Sequence, residues 1–120
     1  MAGIHVGSKP RINGAMLGQN QGTVVCLLGI AHDPDNSGMS FKLKTCDDQI
    51  VTVKLQEPLQ EYLQGLTEVH GEVQGREIKA QSYVVFPAEY SSSFDMKQYN
   101  KALNLIAQCP QYYKIASNES

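Results

Sequence analysis

Between Thr23 and Phe86 the sequence holds five strand-like apolar runs, and the interruption with helical spacing falls between the third and the fourth. The first run, Thr23 to Ile30, is β-branched and apolar through Val24, Val25, Leu27 and Leu28, with Gly29 placed where a bulge or sharp bend is expected. Asp33-Pro34-Asp35-Asn36-Ser37-Gly38 then ends it in a loop. In the second run Met39, Phe41 and Leu43 share one face and Ser40, Lys42 and Lys44 the other. The third turns Val51, Val53 and Leu55 inward and Thr52 and Lys54 outward, with Asp47 and Asp48 at the intervening turn. From Pro58 to Gly65, Leu59, Tyr62 and Leu63 recur at helical spacing, and Gly65 suits a helix end. Two further strands, Leu66 to Gln74 and Glu77 to Phe86, meet at a turn on Gly75.

This order predicts an all-β chain with helices: a five-stranded OB-fold barrel carrying a short helix between strands three and four. Other five-stranded barrels share the pattern. At 120 residues there is room for one core, so 1–120 is read as a single domain. A polar lead-in from Ser8 to Gln19 contains Ile12, Ala15, Met16 and Leu17 after a cap at Asn13, and predicts a helical turn over the barrel.

Beyond Phe86 the pattern changes. Ser91, Ser92 and Ser93 look like a linker, after which Asp95 caps a C-terminal α-helix with Gln98 as the capping-box partner. Phe94 and Tyr99 occupy the staple positions, and Pro110 stops the helix near Gln108. On a helical wheel Met96, Tyr99, Ala102, Leu103, Ile106 and Ala107 fill an arc of about 140°, which Leu105 and Cys109 widen past about 180°. Lys97, Asn100, Lys101 and Asn104 lie opposite. One surface satisfies an arc of about 100°. The surplus admits two explanations, deep packing on the barrel or sharing the face with partner helices. Five of the nine aromatics, Tyr90, Phe94, Tyr99, Tyr112 and Tyr113, lie at or beyond residue 90, which favours an interface.

Charge narrows the function. Ten Lys and Arg against 12 Asp and Glu leave no basic footprint, which argues against an independent, tight nucleic-acid binder. Charged residues make up only 18%, below the usual quarter, consistent with surface covered by a partner. Cys26, Cys46 and Cys109 form no CxxC and have no His at ligand spacing, so neither a disulfide framework nor a metal is expected, and no cofactor. Neighbouring strands could bring Cys26 to His70, but no base, orienting group or oxyanion site accompanies them, and the chain is not read as an enzyme. No apolar stretch is long enough for a membrane span, which predicts a soluble, intracellular protein.

Arg11-Ile12-Asn13-Gly14-Ala15-Met16-Leu17, Glu57-Pro58-Leu59, and Phe94-Asp95 through Tyr99-Asn100 to Pro110-Gln111-Tyr112-Tyr113 resemble the smallest subunit of replication protein A. The resemblance spans nearly the full chain. It implies an OB-fold whose C-terminal helix, 94–109, joins helices of the middle and large subunits in a three-helix bundle. That role would fall on Met96, Tyr99, Ala102, Leu103 and Ile106. It also implies a nuclear protein whose complex holds single-stranded DNA in replication, repair and recombination.

Direct DNA contact is expected to be weak. Single-strand binders join a positive groove to aromatic platforms. The outward face of strands two and three offers Lys42, Lys44 and Lys54, with Arg11 as an addition, but Phe41 has inward parity. Two other readings stay open: the equivalent small subunit of a telomere-associated complex, and a free OB module binding a small ligand or oligosaccharide.

Overall fold

The computed structural model describes residues 9–59, 63 and 65–108. Among the described residues six strands form, β1 (Arg11–Ile12), β2 (Val24–His32), β3 (Ser40–Thr45), β4 (Ile50–Lys54), β5 (Gly65–Gln74) and β6 (Glu77–Val85). Two α-helices follow, α1 (Ala88–Ser93) and α2 (Met96–Gln108), and a 3-10 helix spans Gly14–Asn20.

Alternation sets the core. Val25, Leu27, Phe41, Leu43, Val51, Val53, Val69, Val73 and Ile78 all point inward as their parity requires, and Ile12, Leu17 and Leu63 fill the same core. β2 is long enough to serve two neighbours. It pairs antiparallel with β5 from Val24 to Ala31 and with β3 from Gly29 to His32. A parallel pairing of β4 with β6 then closes the five-stranded barrel, while β1 lies outside it against β2. The architecture is the expected OB-fold.

Several local expectations shift. Gly29 makes no bulge, since the β5 register runs through it unbroken and the β3 pairing begins on it. Its role is close approach: a Cβ there would lie 2.4 Å from the Lys44 carbonyl oxygen. The irregularity sits instead between His70 and Gly71, where β6 accommodates the extra Gln81. Arg11–Ile12 pairs as a strand too short to show any period. The expected helix between Pro58 and Gly65 falls on Gln60, Glu61, Tyr62 and Gln64, which lie outside the described residues. Gly65 itself opens β5 at φ +90.

The hairpin turn also anchors the lead-in. Asn13 caps the 3-10 helix, its side-chain oxygen accepting from the Met16 N–H at 3.2 Å. The Asp47 carboxylate accepts from the Gly14 and Ala15 N–H groups at 2.9 and 3.0 Å and from the Thr45 hydroxyl. Burial opposes its charge, yet these donors hold the Asp47 carboxyl below the ordinary range.

The serine run is not a linker. Pro87 presets the backbone at the start of α1, and the Ser93 hydroxyl donates back to the Glu89 carbonyl at 3.0 Å, as serine does within a helical turn. Ser91 Oγ accepts from the Leu66 N–H at 2.9 Å and ties the turn to β5. Asp95 accepts from the Gln98 N–H at 3.0 Å, and the Phe94 and Tyr99 rings stand 5.6 Å apart, the expected cap and staple of α2.

Candidate functional site

Helix α2 seats on the barrel by one stripe. Leu103 is buried, and Met96, Tyr99 and Asn100 are half-buried, which is the i, i+3, i+4, i+7 spacing of a single contact face. The stripe includes a polar residue for a physical reason. Asn13 is 2% exposed, and its amide group must find acceptors. It donates to Asn100 Oδ1 at 2.7 Å and to Asn104 Oδ1 at 3.4 Å, while Cys46 Sγ donates to the same Asn100 oxygen. Asn100 and Asn104, expected on the solvent side, are therefore drawn toward the barrel.

Seating the helix there divides the five residues assigned to partner contact. Leu103 turns fully into the barrel, and Met96 and Tyr99 partly do so. Ala102 and Ile106 face out, Ile106 at 40% exposure, and they are joined by Leu105 at 61%. On the wheel this outward ridge centres about 120° from the seated stripe. A groove of about 490 Å³ lies between α1, α2 and β5, lined by Leu28, Phe86, Tyr90, Phe94 and Tyr99 together with Arg11.

Arg11 does not lie with the lysines. It sits opposite Cys26 on β2, three residues or about 10 Å along the strand from Gly29, where the β3 pairing begins, and six residues or about 20 Å from His32, the partner of Lys42. Its Nη1 meets Glu68 Oε1 at 3.1 Å and Cys26 Sγ at 3.4 Å. Glu68 Oε2 meets His70 Nε2 at 2.8 Å, and Cys26 lies directly across from His70 in the β2–β5 register. The strands thus supply the orienting carboxylate that the sequence did not reveal. Burial resists the Glu68 charge, but His70 and Arg11 outweigh it and hold its carboxyl low. The Tyr99 hydroxyl from α2 is buried without a hydrogen bond of ordinary geometry, yet it is the chief neighbour raising the Arg11 guanidinium, with Glu68 adding to it. Cys26 and Cys46 are buried free thiols, each pushed up to about 11, mainly by burial. Both stay protonated at neutral pH and are poor nucleophiles.

Lys42, Lys44 and Lys54 do share one face. Register sets Lys42 against Thr52, Lys44 against Ile50 and Lys54 against Ser40, and the parallel closure adds Lys79 beside Lys54. The face is partly neutralised, since Lys42 Nζ donates to Thr52 Oγ1 at 2.8 Å and Lys44 lies 3.7 Å from Asp48. Phe41 packs inward, edge-on to Tyr83 with ring centroids 6.1 Å apart. Among the described residues β3 and β4 carry no outward aromatic.

Solved structures share this architecture. U. maydis replication protein A bound to ssDNA aligns at a TM-score of 0.69 and 21% identity, covering 87% of this chain and 94% of that one. The telomere capping protein Ten1 from Saccharomyces pombe aligns at 0.64 and 12% identity, covering 84% and 99%. At these identities the likeness establishes the fold. The sequence itself matches the family described as Replication factor A protein 3 over residues 6–113. With barrel and terminal helix in the expected order and the match spanning most of its length, the chain belongs to that family, the family of the smallest replication protein A subunit.

Proposed function

We propose that the chain is the scaffold subunit of a nuclear replication protein A heterotrimer, in which α2 packs with one helix from each of the middle and large subunits. The reading rests on one observation: Ala102, Leu105 and Ile106 form an exposed apolar ridge on a helix whose other side is already seated by Leu103 and Asn100. Such a ridge is unfavourable in water and fits a partner helix. Tyr99, Ala102 and Ile106 also follow the three-and-four spacing of a coiled-coil seam. On this reading the domain is 1–120 with 94–109 as its oligomerisation helix, of which Cys109 lies outside the described residues.

The complex, rather than this chain, supplies most of the affinity for single-stranded DNA in replication, repair and recombination. The part-neutralised lysine face without aromatic platforms supports that division. The protonated thiols support a non-catalytic role. Co-expression with the middle and large subunits tests the assembly. A Leu105→Asp/Ile106→Asp double variant should lose co-purification while keeping the barrel's circular dichroism. Undiminished co-purification would sink the proposal. Leu103→Asp is unsuitable because it disrupts the helix's own seat. The likeness to Ten1 favours a second reading, the same role in a telomere-associated complex. Mass spectrometry of partners purified from the native source separates the two.

A further inference from the structure

The cluster beneath Tyr99 has a chemistry that the assembly role does not use. Cys26, Glu68 and His70 come from two adjacent strands, with Cys26 and His70 in direct register and Glu68 two positions along β5 on the same face. One donor atom from each, Sγ, a carboxylate oxygen and an imidazole nitrogen, lies within 4.8 Å of the other two. Glu68 and His70 are two residues apart, but no motif in the sequence joins them to Cys26, which lies 44 residues before His70.

We propose that Cys26 Sγ, Glu68 Oε2 and His70 Nε2 bind a divalent transition metal of the zinc class. A tetrahedral zinc site needs about 3.6 Å between sulfur and nitrogen and about 3.3 Å between nitrogen and oxygen. The observed 4.0 and 2.8 Å are each about half an ångström from those values, within reach of side-chain rotation. Thiolate, imidazole and carboxylate together suit zinc or cobalt rather than magnesium or calcium, which take oxygen donors. On binding, the Cys26 thiol proton leaves to solvent as the sulfur–metal bond forms. Freeing the Nε2 lone pair puts the ring proton on His70 Nδ1, which is buried with no partner among the described residues, so the nitrogen–metal bond must outweigh an unpaired N–H. Glu68 and His70 keep 17% and 22% side-chain exposure, enough for a water to complete the coordination.

Arg11 is the opposing charge. Its two contacts differ in consequence: the one to Cys26 Sγ must be given up, whereas the one to Glu68 Oε1 leaves Oε2 for the metal and orients the carboxylate from behind. A positive neighbour weakens cation binding, so this residue sets the affinity.

Cobalt(II) titration of the full 120-residue chain tests the site. The expected result is a sulfur-to-cobalt charge-transfer band in the near ultraviolet that saturates at one equivalent and is abolished by zinc. Cys26→Ser and His70→Val should each remove it, Cys46→Ser should not, and Arg11→Gln should tighten binding several-fold. No band at about 1 mM cobalt overturns the proposal, as does a band surviving in Cys26→Ser or an Arg11→Gln affinity that fails to rise. If Cys26→Ser or His70→Val fails to fold, the wild-type chain decides by NMR: zinc must shift the His70 ring resonances, and unmoved resonances overturn the assignment.

Discussion

Asn13 shows how one side chain can join three parts of the molecule. Its oxygen caps the 3-10 helix while its nitrogen reaches Asn100 and Asn104 on α2. Asn13→Ala removes the cap and both side-chain bonds to α2, and should lower stability by about 1–3 kcal/mol in urea denaturation. A loss below about 0.5 kcal/mol would show that the bridge is slack. The titratable groups set the pH window. Asp47 and Glu68 are held below the ordinary carboxyl range, so their contribution is full above the unfolded values near about 4 and disappears as pH falls through the folded ones. Cys26 and Cys46, raised to about 11, contribute fully below the unfolded thiol value of about 8.5 and lose that contribution as pH rises toward 11. Denaturant midpoints should therefore plateau between about pH 5 and pH 8. Asp47→Asn and Glu68→Gln should flatten the acid limb, and an unchanged limb in both would contradict the assignment.

At the scale of elements, Gly29 and Gly18 make a controlled comparison. A Cβ at Gly29 meets the Lys44 carbonyl at 2.4 Å, whereas at Gly18 it meets nothing within 4 Å. Gly29→Ala should cost about 1–3 kcal/mol or more and Gly18→Ala should stay within about 0.5 kcal/mol, read as thermal midpoints. Equal midpoints would mean that β2 and β3 can separate freely. What the sequence showed was local. Period two placed Phe41, Leu43, Val51 and Val53 in the core because each strand's parity is written in its own residues. Which edge of α2's wide arc meets the barrel was not legible, because Asn13's need for an acceptor is settled 87 residues away at Asn100. The Cys26–Glu68–His70 group was hidden in the same way, since it depends on strand register. The serines misled by composition alone: their hydroxyls bond back to the chain and complete a helical turn.

For the molecule as a whole, the outward faces differ in chemistry. The apolar ridge lies on α2, and the lysines lie on the β3–β4 hairpin, away from Arg11. The isolated chain should bind single-stranded DNA weakly, with a log–log salt slope near about −2 if all three lysines meet phosphates at about 0.7 each. Replacing Lys42, Lys44 and Lys54 with Gln should flatten that slope in fluorescence anisotropy. Submicromolar binding at physiological salt would contradict the division.

The barrel closes through three residue pairs, Thr52–Lys54 with Glu77–Lys79, while eight pairs join β2 to β5. β2 serves both of its barrel neighbours at once only at Gly29, Ile30 and Ala31. The molecule is thus two half-shells that share three residues of β2 and meet again along a short seam. That seam is where the barrel has the least backbone pairing to lose, and a substitution at Val53 or Ile78 falls on it directly.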